Sequence, residues 1–280
     1  MLETVSDPGR LKPAAYLRVR RLVYEKAGID LRAGKEELVS ARLAKKLIET
    51  KCKSYEQYLD RVAADHTGES LTALIDALTT NFTSFMREPA HFDFLRGTIF
   101  PWLSARGRVE IWCAAAATGE EPYSLICSML DHFGGFGGAR CRLIATDIST
   151  RALAAARKGV YPADRLKSVP KEWLSKYFLR GTGDFAGLNQ IRPEVARLID
   201  FRSLNLITSF QHNQLFPLIS CRNVMIYFDR PTQERVVNRM CQFLEPGGYL
   251  FVGHSESLNG LRHPLRFMQP AIYQMPPAGK

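Results

Sequence analysis

Ile219-Ser-Cys-Arg-Asn-Val-Met-Ile-Tyr-Phe-Asp229 is an apolar run that breaks at Arg222-Asn223 and resumes before Tyr227. It reads as a buried strand whose carboxyl end presents polar groups, the edge where open α/β sheets bind ligands. Pro246-Gly-Gly-Tyr-Leu-Phe-Val-Gly-His-Ser-Glu256 repeats the pattern, and chemistry is expected at this edge.

Working outward, strands alternate with helices. Residues 109–114 read as a buried strand, and 118–124 open a helix carrying Leu125, Ile126, Met129 and Leu130. Residues 141–146 form a second strand ending in Asp147, with Ser149 as cap of the next helix. Further strands fit 198–202, 215–221 and 248–253, with a helix over 232–244 and an antiparallel edge strand over 266–275. This grammar gives a mostly parallel, doubly wound α/β sheet covered on both faces. Glycines at 181, 183 and 187 interrupt it and suggest a small antiparallel β insert at about 177–197.

Upstream the periodicity is helical. Pro13 suits a first turn, Tyr16, Val19, Val23 and Ala27 share a face, and Gly28 stops the helix. Val39, Leu43 and Leu47 stripe a second helix; Ser54 with Gln57 forms a capping box for a third; Leu71, Leu74, Ile75 and Leu78 mark a fourth. The expected organisation is a helical domain over 1–78, a linker over 79–92 that contributes to the ligand site, and an α/β domain over 93–280.

The 280 residues, 46% hydrophobic and 24% charged, suffice for a large domain and a smaller one. The opening has no basic start followed by an apolar core, and no apolar run approaches the ~20 residues a spanning helix needs, so a cytoplasmic location is expected. Cys52, Cys113, Cys127, Cys141, Cys221 and Cys241 form no CxxC pair and read as buried reduced thiols, with neither zinc nor any other metal indicated. Of the net charge of +10, residues 10–61 contribute +7, from 14 Lys/Arg against 7 Asp/Glu, which favours an anionic partner.

Small residues at 114–117 followed by Thr118-Gly119 let a ligand approach the backbone, and Asp147 can accept hydrogen bonds from a ribose, although an aspartate after a strand is more often a cap than a ligand. Glu120 and Glu121 at a helix start are ordinary dipole partners. These carboxylates suit an amine or sulfonium better than a phosphate, which favours S-adenosylmethionine over NAD.

The strings Thr79-Thr-Asn-Phe-Thr-Ser-Phe-Met-Arg-Glu-Pro89, Ala117-Thr-Gly-Glu-Glu-Pro-Tyr-Ser124, Ala145-Thr-Asp-Ile148, Leu204-Asn-Leu206, Cys221-Arg-Asn-Val-Met-Ile-Tyr-Phe-Asp229 and Gly253-His-Ser-Glu256, in order over nearly the whole chain, resemble the CheR-type chemotaxis receptor methyltransferases. The resemblance implies an S-adenosylmethionine-dependent methyltransferase fold and transfer of methyl groups to glutamate side chains of the chemoreceptor cytoplasmic helical bundle. It places the cofactor on Asn81, Thr83, Arg87, Glu121, Asp147, Asn205, Leu206, Arg222 and Asn223, with Arg87 and Tyr227 beside the methyl group. It also implies docking on the receptor through Arg42, Lys45 and Lys46, and suggests that the loop with Gly181, Gly183 and Gly187 holds a receptor C-terminal pentapeptide. Nucleic-acid binding and membrane insertion are not expected.

Glutamate, with a pKa near ~4.3, arrives ionised, so such a site needs orientation and dryness rather than a general base. Phe216-Pro217 stands where the family usually has Phe-Asp, and Ala117 where serine is common; the lost carboxylate is expected to weaken cofactor or substrate positioning. The competing readings are a methyltransferase for another acceptor, including nucleic acid, and a cofactor-binding regulatory module without turnover. The chain has no aromatic-interleaved basic stripe for the former, and release of S-adenosylhomocysteine in the presence of receptor separates the latter.

Overall fold

The computed structural model describes residues 11–79, 81–135 and 141–279. The opening nine residues, and Thr80 within the 79–89 string, lie outside these. Four helices come first: α1 (Pro13–Ala27), α2 (Glu36–Thr50), α3 (Tyr55–Ala64) and α4 (Glu69–Leu78). Gly28 ends α1 at φ 71°, its N–H donating to Tyr24 O at 2.9 Å. Ser54 Oγ caps α3 by accepting Gln57 N–H, while Gln57 Oε1 accepts Lys53 N–H, one residue upstream of the expected box. The apolar stripes, among them Val19, Val23, Leu43, Leu47, Leu59 and Leu74, close on one another into a core of their own.

Past the linker run α5 (Pro89–Phe94), a π turn (Leu95–Ile99) and α6 (Phe100–Leu103), then β1 (Val109–Cys113), α7 (Glu120–His132), β2 (Cys141–Asp147) and α8 (Thr150–Lys158). The chain continues through β3 (Val160–Pro162), α9 (Lys171–Tyr177), β4 (Phe178–Arg180), β5 (Leu188–Ile191), α10 (Pro193–Ala196), β6 (Ile199–Ser203) and β7 (Phe216–Ser220). It closes with α11 (Arg230–Cys241), β8 (Leu244–Phe251), β9 (Arg266–Gln269) and β10 (Ile272–Gln274).

Seven strands form the main sheet in the order β6-β2-β1-β7-β8-β10-β9, parallel from β6 to β8, with β10 antiparallel to both its neighbours. Successive residues of β1 feed opposite faces: Val109, Ile111 and Cys113 join one core cluster and Trp112 the other. After β1 the chain builds outward through β2 to β6, then returns to the other side of β1 as β7. That reversal opens a crevice at the carboxyl ends of β1 and β7.

Three expectations are corrected. The small antiparallel sheet, β3-β5-β4, takes a strand from Val160–Pro162, so the insert starts well before residue 177. The single edge strand over 266–275 is a hairpin, β9 and β10, with Ala271 at φ 65° in its turn. Pro217 sits at the amino end of β7, opposite the crevice, where the β8 register shifts between Phe216 and Leu218 and before pairing with β1 begins at Ile219. Its missing N–H forfeits no ladder bond there, and a carboxylate at this position would not reach the crevice.

Candidate active site

A cavity fills the crevice, roofed by the linker and by the end of α1. Every residue expected to meet the cofactor or the methyl group lines it: Asn81, Thr83, Arg87, Glu121, Asp147, Asn205, Leu206, Arg222, Asn223 and Tyr227. Residues from five segments, spread over 147 positions, converge because strand ends and loops meet at the topological switch.

Asp147 ends β2. Its Oδ2 accepts Ala117 N–H and its Oδ1 accepts Ser149 N–H, each at 2.8 Å. Burial pushes the Asp147 carboxyl up in spite of these two bonds. Each oxygen retains a lone pair for a diol. Ser149 Oγ in turn caps α8 through Ala152 N–H and accepts Asn81 Nδ2 at 3.2 Å, which ties the linker to the aspartate's loop. Asn205 donates to Lys26 O at 2.6 Å, joining the crevice to the end of α1.

Arg222 is 4% exposed and lies between two carboxylates. Its Nη1 is 3.2 Å from Glu121 Oε2, and its Nη2 is 3.0 Å from Glu88 Oε2. Glu121 Oε1 also accepts Ser220 Oγ at 2.6 Å. The charged residues among those lining the cavity are Glu121, Asp147, Arg87 and Arg222, so their formal charges balance, and a cationic ligand would be held by lying beside the Glu121 and Asp147 carboxylates. Glu120 does not line it; that carboxylate accepts Thr118 Oγ1 and pairs with Arg165 outside.

At the rim Arg87 spends one N–H on Phe82 O, 3.2 Å away, with its guanidinium 6.0 Å from the centre of the Phe82 ring, which is itself 75% exposed. The Tyr227 hydroxyl has no hydrogen-bond partner among the described residues.

Sequence reading gave no role to Glu88 and Glu256, although both stand in the quoted strings. Glu88 Oε1 accepts His254 N–H at 3.2 Å and Asn223 Nδ2 at 3.3 Å, so with Arg222 it ties the linker to two strand-end loops. Glu256 accepts four backbone N–H groups, and burial still pushes its carboxyl up. Their partners lie up to 166 residues away, so no local pattern announces them. Glu88, His91 and His254 bring potential ligand atoms within 4.8 Å of one another. Glu88 Oε2, which faces His91 Nδ1 at 3.3 Å, is already held by Arg222, and that guanidinium occupies the place of a cation.

Elsewhere the expected docking cations differ from one another. Arg42 is half-buried and donates to Leu78 O, capping α4 beside the cavity wall. Lys46 pairs with Glu49 at 2.7 Å, and Lys45 is exposed. In the insert, a Cβ at Gly181 would meet Phe185 O at 2.1 Å, so only glycine fits; Gly183 and Gly187 take φ 57° and 85° with open space around them.

A doubly wound sheet whose second strand ends in an aspartate facing a cavity at the switch point has the design of an S-adenosylmethionine-dependent methyltransferase. Residues 81–273 match the family model described as CheR methyltransferase, SAM binding domain, and residues 14–79 match CheR methyltransferase, all-alpha domain. The chain belongs to the CheR methyltransferase family and is an S-adenosylmethionine-dependent enzyme. It is 39% identical over 264 residues to the chemotaxis protein methyltransferase of Klebsiella aerogenes, covering 94% of this chain and 90% of that protein. It is 38% identical over 267 residues to that of Salmonella typhimurium, covering 95% and 91%. It is also 38% identical over 259 residues to chemotaxis protein methyltransferase 2 of Pseudomonas aeruginosa, covering 92% and 91%.

Proposed function

We propose that the protein methylates glutamate side chains of chemoreceptor cytoplasmic domains, giving glutamyl methyl esters, and does so in the cytoplasm without a metal. The observation that carries this reading is the chemistry of the cavity lining. Among its described residues there is no histidine, lysine or cysteine; its cations are two arginines and its only phenol is Tyr227. Its two carboxylates are already engaged, Glu121 by Arg222 and Ser220 and Asp147 by two backbone N–H groups, so the lining suits an acceptor that arrives as a carboxylate and needs no base.

S-adenosylmethionine supplies the methyl group as a sulfonium. Asp147 holds the ribose hydroxyls, and Asn81, Thr83, Asn205 and Leu206 form the walls. Glu121, Arg222 and Asn223 set the charge around the sulfonium end. Arg87, with four N–H donors unused among the described residues, orients the incoming carboxylate, and Tyr227 donates one hydrogen bond without adding charge. The exposed Phe82 beside Arg87 helps exclude water once the receptor helix lies across the rim.

Receptor docking belongs to the exposed face of α2, where Lys45 is the accessible charge and Arg42 and Lys46 act largely within the protein. The loop with Gly181, Gly183 and Gly187 presents Phe185, 67% exposed, above the open edge of the small sheet, a form suited to holding an extended peptide such as the receptor's C-terminal pentapeptide. The test is transfer of radiolabelled methyl groups to purified chemoreceptor cytoplasmic fragments, followed by base-labile release of methanol. Cofactor binding with no S-adenosylhomocysteine formed in the presence of receptor would leave a binding module instead.

A further inference from the structure

Glu256 closes the turn after β8, its own N–H donating to Gly253 O at 2.8 Å. The residue is 8% exposed, and its carboxylate points into the loop that follows β7. Oε2 accepts the backbone N–H groups of Asn223 at 2.8 Å and Gly253 at 2.6 Å; Oε1 accepts those of Met225 at 2.7 Å and Ile226 at 3.2 Å.

Met225 and Ile226 open the 3-10 turn Met225–Tyr227, where the first backbone donors have no acceptor within the turn. Glu256 therefore caps that turn from 30 residues away. Asn223, the first residue it holds, has φ 59°, a left-handed conformation uncommon for side-chain-bearing residues but one that asparagine tolerates better than most. The two loops also interlock sterically, because a Cβ at Gly253 would meet Asn223 Nδ2 at 2.3 Å.

We infer that Glu256 is a positioning residue for methyl transfer: by holding the backbone of residues 223–226 it aims Asn223 and the Tyr227 ring at the cavity. The inference rests on the roles proposed above for those two residues. The Tyr227 hydroxyl has no described partner, so the ring is aimed by its packing against the core and by its backbone, and that backbone is held by Glu256 at the start of the turn and by Asp30 N–H on Tyr227 O at 2.8 Å. Four donors converging from two sides need acceptors on both oxygens. A carboxylate provides them; an amide turns its NH2 toward two of the donors.

The test uses the full chain as wild type, Glu256→Gln, Tyr227→Phe and the double variant. Three quantities are measured: kcat with saturating S-adenosylmethionine and a chemoreceptor cytoplasmic fragment, affinity for S-adenosylhomocysteine by calorimetry, and amide hydrogen exchange. Glu256→Gln is expected to lower kcat at least tenfold. It should speed exchange at the amides of 223, 225 and 226 while those of α2 stay as protected as before. In the Tyr227→Phe background it should cost clearly less than in the wild type, because the part that acts through the Tyr227 hydroxyl is already gone. Wild-type kcat, unaltered loop exchange, or losses that simply multiply would each overturn the inference. Wild-type kcat in Tyr227→Phe alone removes the role proposed for Tyr227; Glu256 then stands on Asn223, and unchanged affinity for S-adenosylhomocysteine in Glu256→Gln refutes it. Should Glu256→Gln not fold, Glu256→Asp, which keeps the charge on a shorter arm, is read in the same way.

Discussion

Asp147 shows how one side chain serves two masters. Its carboxylate organises its own loop by accepting Ala117 and Ser149 N–H, and its remaining lone pairs face the cavity. A charged acceptor contributes about 1.5 to 3 kcal/mol per hydrogen bond. Asp147→Ala is therefore expected to weaken S-adenosylmethionine binding at least tenfold in calorimetry and to lower the melting temperature as well; unchanged affinity would mean that the ribose lies elsewhere. Tyr227→Phe removes only a hydroxyl with no described partner. Turnover should fall while cofactor affinity stays within about twofold, since the lost interaction belongs to the transition state. The polar type of these residues, and their place after apolar runs, were legible in the sequence. Which oxygen meets which N–H was not, because the donors are backbone groups brought there by the fold.

Among the elements, the linker and α2 behave differently from their sequence reading. Burial alone pushes the Glu88 carboxyl up, but the His91 contact, the Arg222 charge and His254 N–H outweigh it and hold the carboxyl well below its usual value of 4.5. A depressed carboxyl stabilises the fold above its unfolded value, and that contribution is lost as pH falls below about 4.5. Asp147 and Glu256, whose carboxyls are pushed up, shift stability in the opposite sense on acidification. Glu88→Gln should therefore lower the melting temperature at pH 7 but flatten its fall between pH 5.5 and pH 3; a fall as steep as wild type would show that the Glu88 charge is not what acid removes. On α2, Lys45→Glu should reduce receptor methylation in a salt-dependent way and leave cofactor affinity constant. Arg42→Glu should weaken cofactor binding too, because Arg42 caps α4 at Leu78, a residue of the cavity wall. Equal cofactor affinity in both variants would refute that distinction.

At the scale of the molecule, the helical unit and the α/β sheet share one site. Gly28 ends α1 against the sheet's loops: a Cβ there would lie 2.6 Å from Ile207 Cγ2 and 3.3 Å from Phe228 Cδ1, at φ 71°. Gly34, at φ 87°, faces open space. Strain alone costs about 1 to 2 kcal/mol, and overpacking adds about 1 to 3. Gly28→Ala should thus destabilise clearly more than Gly34→Ala in thermal melts and should also weaken S-adenosylmethionine binding; equal effects would show that the two units do not depend on this contact. The sequence by itself determined the helical and α/β parts, the alternation of strands and helices, and the set of polar residues at the strand ends. Those follow from hydrophobic period and from caps, which act over a few residues. Only the tertiary structure decided that the small sheet borrows Val160–Pro162, that Pro217 falls at a register shift, and that Arg42 faces inward. It alone also decided that Glu88 and Glu256 brace the strand-end loops, because a buried carboxylate takes its partners from whatever the topology brings within about 3 Å, and those partners are distant in the chain.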